Sequence, residues 1–228
     1  AQDPHAAARE IERWADHPYM AEVLMTPQTR GIPFGSPYFD PLYTAAARHG
    51  LPVATHLMGG QTPYELIPIY PVGNPRALAR LLRVVAAAVR GAPDEPGVRR
   101  RVRPPPAVAG GVRRGRLHVA MPLMWRMDRI WEQRRGDLPY VRRRPSDYVR
   151  EHVRFTTQPL EEVNVREYRE YLEMMDLGDN LMFSTDYPHW SYDSPEWAVR
   201  RFPPADQRER IMRGNATALY GLPATVKR

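Results

Sequence analysis

Hydrophobic positions along the chain follow two rhythms, a helical stripe and a short apolar run, and their alternation predicts βα units. Near the start, Ala7, Ile11 and Trp14 mark one helical face. Asp3 stands just before Pro4, where a carboxylate accepts from free first-turn amides and proline needs no partner for an amide it lacks. The helix is therefore expected to begin at Pro4. The run MAEVLM at residues 20–25 suits a short buried strand. A second Asp-Pro pair, Asp40 and Pro41, opens another helix that Gly50 can close in the left-handed conformation. LPVATHL follows at once, rich in β-branched residues and stopped by Gly59 and Gly60.

The same rhythm returns further on. Met124, Met127, Ile130 and Trp131 predict a helix over residues 121–135, and residues 153–157 read as a strand ending before Pro159. A helix over residues 161–177 would carry Val165, Tyr168, Leu172 and Met175 on one face, with Gly178 as its stop. Residues 181–185 form the next strand, and two short helices are expected between Arg208 and Tyr220. Strands alternating with helices imply parallel βα units.

One stretch breaks the pattern. Of the 45 residues from 76 to 120, 38 are Ala, Arg, Gly, Pro or Val, and none of the chain's 22 aromatic residues falls there. The chain is thus divided at this stage into residues 1–75 and 121–228, both of barrel type, around an irregular basic insert. Charge sharpens the division. The formal charge is +7, yet residues 76–116 hold 11 arginines against Asp94 and Glu95, which leaves the rest of the chain at −2.

Composition excludes some functions. No run of about 18 apolar residues occurs, so no membrane partner is expected. The first residues lack the basic-then-apolar order of a secretory signal, and with no cysteine there is no disulfide framework or thiolate metal site. A cytoplasmic protein is the expectation, and any metal must be held by His, Asp or Glu.

Two positions stand where such chemistry collects. His56 lies near the end of a predicted strand, and in parallel βα folds ligands gather at the carboxyl ends of strands. Neutral imidazole is a good ligand for divalent ions, although a buried histidine donating to a backbone carbonyl fits the same placement. Asp186 ends LMFST just before Tyr187 and Pro188. A carboxylate there can bind a metal or accept a proton, or it can cap a turn before proline. His189 and Trp190 follow on the same loop as candidates for holding substrate. His5, His17, His49, His118 and His152 read as surface residues. No His-x-His pair, phosphate loop or Gly-x-Ser-x-Gly elbow occurs.

The stretches AAREIERWADHP, YTAAARHGLPVATH, LMWRMDRIW, EHVRFTTQPLEE and LMFSTDYPHW followed by RERIMRGNATALYGL resemble the amidohydrolase-related family. That family comprises metal-dependent barrels and includes aminocarboxymuconate-semialdehyde decarboxylase and resorcylate-type decarboxylases. The resemblance implies an α/β fold, a partial (β/α)8 TIM-like barrel of the metal-dependent hydrolase type. It implies one divalent metal ion, zinc or manganese, contacted by His56 and Asp186, with Asp186 also handling protons. The reaction implied is hydrolysis or non-oxidative decarboxylation of a small organic substrate through metal-activated water.

The chain departs from the family in two ways. The first-strand His-x-His is missing, so the chain reads as an N-terminally incomplete member with weak metal retention and impaired activity, or as an inactive remnant. Residues 76–120 replace a family segment that they do not resemble. One lysine beside 32 arginines points to GC-rich codons. Synonymous codons exist for residues 79–118 whose reading one base later includes LTSLVFDGVFDRHPQLRVAFVEGG, a string that resembles the missing segment. The expectation is an out-of-frame reading, which the gene's wobble bases decide. The rival function is a basic nucleic-acid-binding module between Arg99 and Arg116. Its prolines and lack of stacking aromatics predict salt-sensitive, non-specific contact instead, with no specific nucleic-acid partner. A homo-oligomer is compatible with the sequence.

Overall fold

The computed structural model describes residues 3–25, 32, 36–55, 108–110, 120–138, 141–158, 160, 164–190, 192–202 and 205–223. By contacts these fall into two compact units, Ala1–Gly110 with Met124–Val153, and Gly111–Leu123 with Arg154–Arg228.

The first unit opens with α1, Pro4–Trp14, and its start follows from the cap. The Asp3 carboxylate accepts from the His5 and Ala6 amides at 3.0 and 2.9 Å, satisfying two of the four donors a helix leaves unpaired. Ile11 is buried, but Trp14 is 45% exposed and its indole donates to Glu10. The expected stripe is therefore narrower than the spacing implied, with Trp14 exposed at the last position of the helix. Strand β1 is Val23–Met25, and α2 is Asp40–Arg48.

The second Asp-Pro pair does not repeat the first. Ser36 caps a 3-10 turn, Pro37–Phe39, that runs straight into α2, so Asp40 is already helical and makes no cap. Gly50 does take the left-handed conformation (φ 66°), which lets the chain turn from α2 into β2, Val53–Thr55. Phe39, Leu42, Ala45, Ala46, Leu51, Val53, Met25 and Ile11 form one buried cluster between these elements. Glu12 on α1 meets Arg48 and His49 at the end of α2, joining the two helices at the surface.

Strand β1 runs parallel to β2, with Val23 opposite Val53 and Met25 opposite Thr55. Strand β3, Val108–Gly110, is also parallel to β2, with Gly110 opposite Thr55. It is the described strand within the basic stretch; the rest of residues 76–119 lies outside the described residues.

Helix α3, Ala120–Gln133, buries Met121, Met124, Met127 and Trp131 at the expected spacing. The Trp131 indole donates to the Val141 carbonyl at 2.8 Å. Asp128 of α3 accepts from the Ser146 amide and hydroxyl, so a carboxylate remote in sequence caps α4, Pro145–His152. Helix α4 was not foreseen. It also corrects the reading of His152 as a surface residue: the residue is 4% exposed, and its ring stacks near Tyr148.

In the second unit, β4 is Val153–Thr156, α5 is Val165–Met175 and β5 is Leu181–Met182. Helix α5 buries Tyr168, Leu172 and Met175 as expected, but Asn164 caps it and Asp176 ends it in the left-handed region (φ 50°). It is thus shorter at both ends than the apolar spacing implied. After β5 come α6 (Pro195–Ala198), α7 (Ala205–Glu209), a π-helical turn (Arg210–Gly214) and α8 (Asn215–Tyr220). No helix among the described residues is long and apolar enough to cross a membrane.

Candidate metal and substrate site

The carboxyl ends of β4 and β5 lie together because the two strands are parallel, with Phe155 opposite Leu181 and Thr156 opposite Met182. Backbone bonds from Phe155 to Asn180 (2.8 Å) and from Thr157 to Met182 (3.0 Å) complete the ladder. Beyond it, side chains take over. The Ser184 amide donates to the Thr157 hydroxyl, and the Gln158 amide donates to the Ser184 hydroxyl. This exchange carries the pairing past the last strand residue and satisfies amides that would otherwise be unpaired.

The opposite end of β5 is pinned by Asn215. Its side-chain amide donates to the carbonyls of Gly178 (2.9 Å) and Leu181 (2.6 Å), while the Phe183 amide donates to the Ile211 carbonyl of the π turn. The sequence signal for this was the RGNATALYGL stretch, recognised as a motif but without a role for its asparagine.

Asp186 is half-buried three residues past Phe183, on the loop that β5 feeds. Its backbone is left-handed (φ 60°), a region that costs a non-glycine residue of the order of 1–3 kcal/mol and that clusters at ligand sites. The Asp186 carbonyl accepts from the His189 amide at 2.8 Å, and the following Tyr187–Pro188 bond is cis. The loop closes where the Asp193 amide donates to the Thr185 carbonyl at 2.9 Å. Between these points Tyr187, His189 and Trp190 are exposed, Trp190 by 83%. Tyr187 and Tyr192 meet edge to face.

Asp193 is the residue that reading the sequence missed. It is 7% exposed, and its Oδ2 accepts from the buried Leu160 amide at 2.8 Å. Burial pushes its carboxyl above the ordinary carboxylate range; the Leu160 amide and the Arg201 charge pull it back, and the Asp186 charge pushes it further up. The two carboxylates therefore sense each other at one strand end.

The structure thus places Asp186, His189 and Trp190 on one loop at the carboxyl end of β5. His56 follows Thr55, the last residue of β2, and lies outside the described residues, so its placement against Asp186 is not part of the described geometry. No group of three or more His, Asp or Glu side chains able to hold a metal occurs among the described residues. What is described fits one contact to a divalent cation: Asp186 is a half-buried carboxylate, an oxygen donor of the kind such ions take.

Parallel βα units with a carboxylate at a strand end are features that barrel-type α/β enzymes share. The sequence profile of the amidohydrolase family matches residues 1–222, and the chain belongs to that family. Its fold is similar to 5-carboxyvanillate decarboxylase from Sphingomonas paucimobilis (TM-score 0.68, 23% identity, over 97% of this chain and 64% of that one). It is also similar to a dihydroxybenzoic acid decarboxylase from Polaromonas sp. JS666, solved with manganese and 2-nitroresorcinol (TM-score 0.66, 20% identity, 96% and 66%). A third is 2,6-dihydroxybenzoate decarboxylase from Rhizobium (TM-score 0.62, 20% identity, 96% and 68%). The chain spans 64% of the length of the first of these. Comparison with curated protein sequences returned no match.

Proposed function

We propose that the chain is a metal-dependent hydrolase or non-oxidative decarboxylase of a small organic substrate, working at the carboxyl ends of its strands. The observation that carries this reading is Asp186, a half-buried aspartate in left-handed backbone on the loop that follows β5. The decarboxylases of similar fold support the decarboxylase branch, and the manganese in one of them supports a divalent ion of manganese or zinc type. In this reading the architecture is a partial (β/α)8 barrel interrupted by a basic insert.

His56 and Asp186 would hold the ion. Bound there, it would supply positive charge that polarises a carboxylate or carbonyl of the substrate. Asp186 then takes up or returns a proton at its carboxylate. His189 and Trp190, carried on the exposed loop, orient the substrate. Catalytic zinc sites usually take three protein ligands, so with these two residues alone the ion would be held weakly and turnover would be slow. The partner is a small molecule; the arginines between Arg99 and Arg116 give non-specific polyanion contact, and a cytoplasmic homo-oligomer fits the composition.

Assays with excess Mn²⁺ test the reading. Carbon dioxide release from 2,6-dihydroxybenzoate and related hydroxybenzoates, and hydrolysis of simple esters and amides, are followed in parallel. Slow turnover in one arm, lost on chelation and in Asp186→Asn, is the expected result. Turnover indifferent to chelator and to Asp186 would overturn it.

A further inference from the structure

The loop bearing Asp186 is closed at both ends by bonds that converge on one residue. Its amide holds Thr185, the residue before Asp186, and its carboxylate holds Leu160, 33 positions earlier in the chain beyond β4. Both groups are covered: Asp193 is 7% and Leu160 5% exposed. A charged acceptor on a buried amide is among the stronger hydrogen bonds, and an amide left without a partner there pays the full cost of desolvation. The next residue, Ser194, caps α6 by accepting from the Trp197 amide, so the chain is fixed on the far side as well. Exposed side chains crowd the loop between these anchors, while its base is buried.

We propose that Asp193 is the positioning residue of this site: its carboxylate ties the chain after β4 to the base of the Asp186 loop and so fixes the backbone that carries Asp186. The inference rests on the metal reading only for its consequence on metal binding; the anchoring itself is independent of it. Asp193 acts through Thr185 and Leu160 and is not itself a catalytic residue. A carboxylate suits the task because one residue gives a backbone donor to β5's extension and a side-chain acceptor to β4's. Asparagine keeps both functions, whereas alanine keeps the donor alone.

The test uses the full chain with Asp193→Asn, Asp193→Ala and Asp186→Asn, read by amide hydrogen exchange and by Mn²⁺ titration. Asp193→Ala is expected to speed exchange at Leu160 and across residues 185–193 by about tenfold or more, leaving α1 and α2 unchanged. Its Mn²⁺ affinity should fall by about tenfold, the scale of lost support for a ligand. Asp193→Asn should stay within about threefold of the parent in both readouts, a rescue that a generic loss of stability would not produce. If Asp193→Ala unfolds, the asparagine variant decides: a loop loosened there overturns the proposal. Unchanged loop exchange in Asp193→Ala overturns it too. Mn²⁺ binding insensitive to Asp186→Asn, together with a loosened loop in Asp193→Ala, defeats the metal reading and upholds the anchor.

Discussion

Asp193 carries a stability cost that its sequence position does not reveal. Burial and the neighbouring Asp186 charge raise its folded-state pKa above the ordinary 3.8. A raised folded pKa means that its contribution to stability is complete below pH 3.8 and declines as pH rises through the folded value. Asp193→Asn stays neutral, so its stability relative to the parent should grow as pH rises from 3 toward 7 and then level off. Urea melts across that range check it; an advantage that shrinks with pH would contradict the burial account. The position of Asp186 past a strand end was legible because it ends an apolar run. Asp193 was not, since its role depends on Leu160, which no local pattern links to it. His152 was misread for a similar reason: it follows Glu151 in a charged stretch, and it is buried on a helix whose cap, Asp128, lies 18 residues before the Ser146 it holds.

Helices were read from the sequence more reliably than their ends. Spacing located α1, α3 and α5, because a buried stripe leaves a 3.6-residue signature, whereas α2 was read from its Asp-Pro pair and Gly50. Ends depend on which side chain reaches which amide. Asp3 does so and fixes the start of α1, and Asp3→Ala should lower the denaturation midpoint. Asp40 does not, because Ser36 had already started the turn. Short strands such as β5, with two residues, are stabilised from outside their own ladder. Asn215→Ala removes both bonds to Gly178 and Leu181, leaving two carbonyls to find other partners. A loss of about 1–3 kcal/mol is expected by urea melting, with faster amide exchange at Phe183.

At the scale of the molecule, the parallel α/β class followed from alternating periodicities, and the family from a few motif stretches that the profile over residues 1–222 bears out. The stretch from 76 to 119 resisted that reading. Its few residue types and absent aromatics carry no periodicity to interpret, and within it the described residues are those of β3. Sequencing the gene across codons 79–118 is expected to give wobble bases whose reading one position later contains the family-like string; other wobble bases would end that idea. Whether Asp186 holds a divalent metal is read by titrating Mn²⁺ into the parent chain and Asp186→Asn and following free Mn²⁺ by electron paramagnetic resonance. One weak site per chain is expected, weakened by at least about tenfold in Asp186→Asn. Equal Mn²⁺ binding by the two proteins would contradict it.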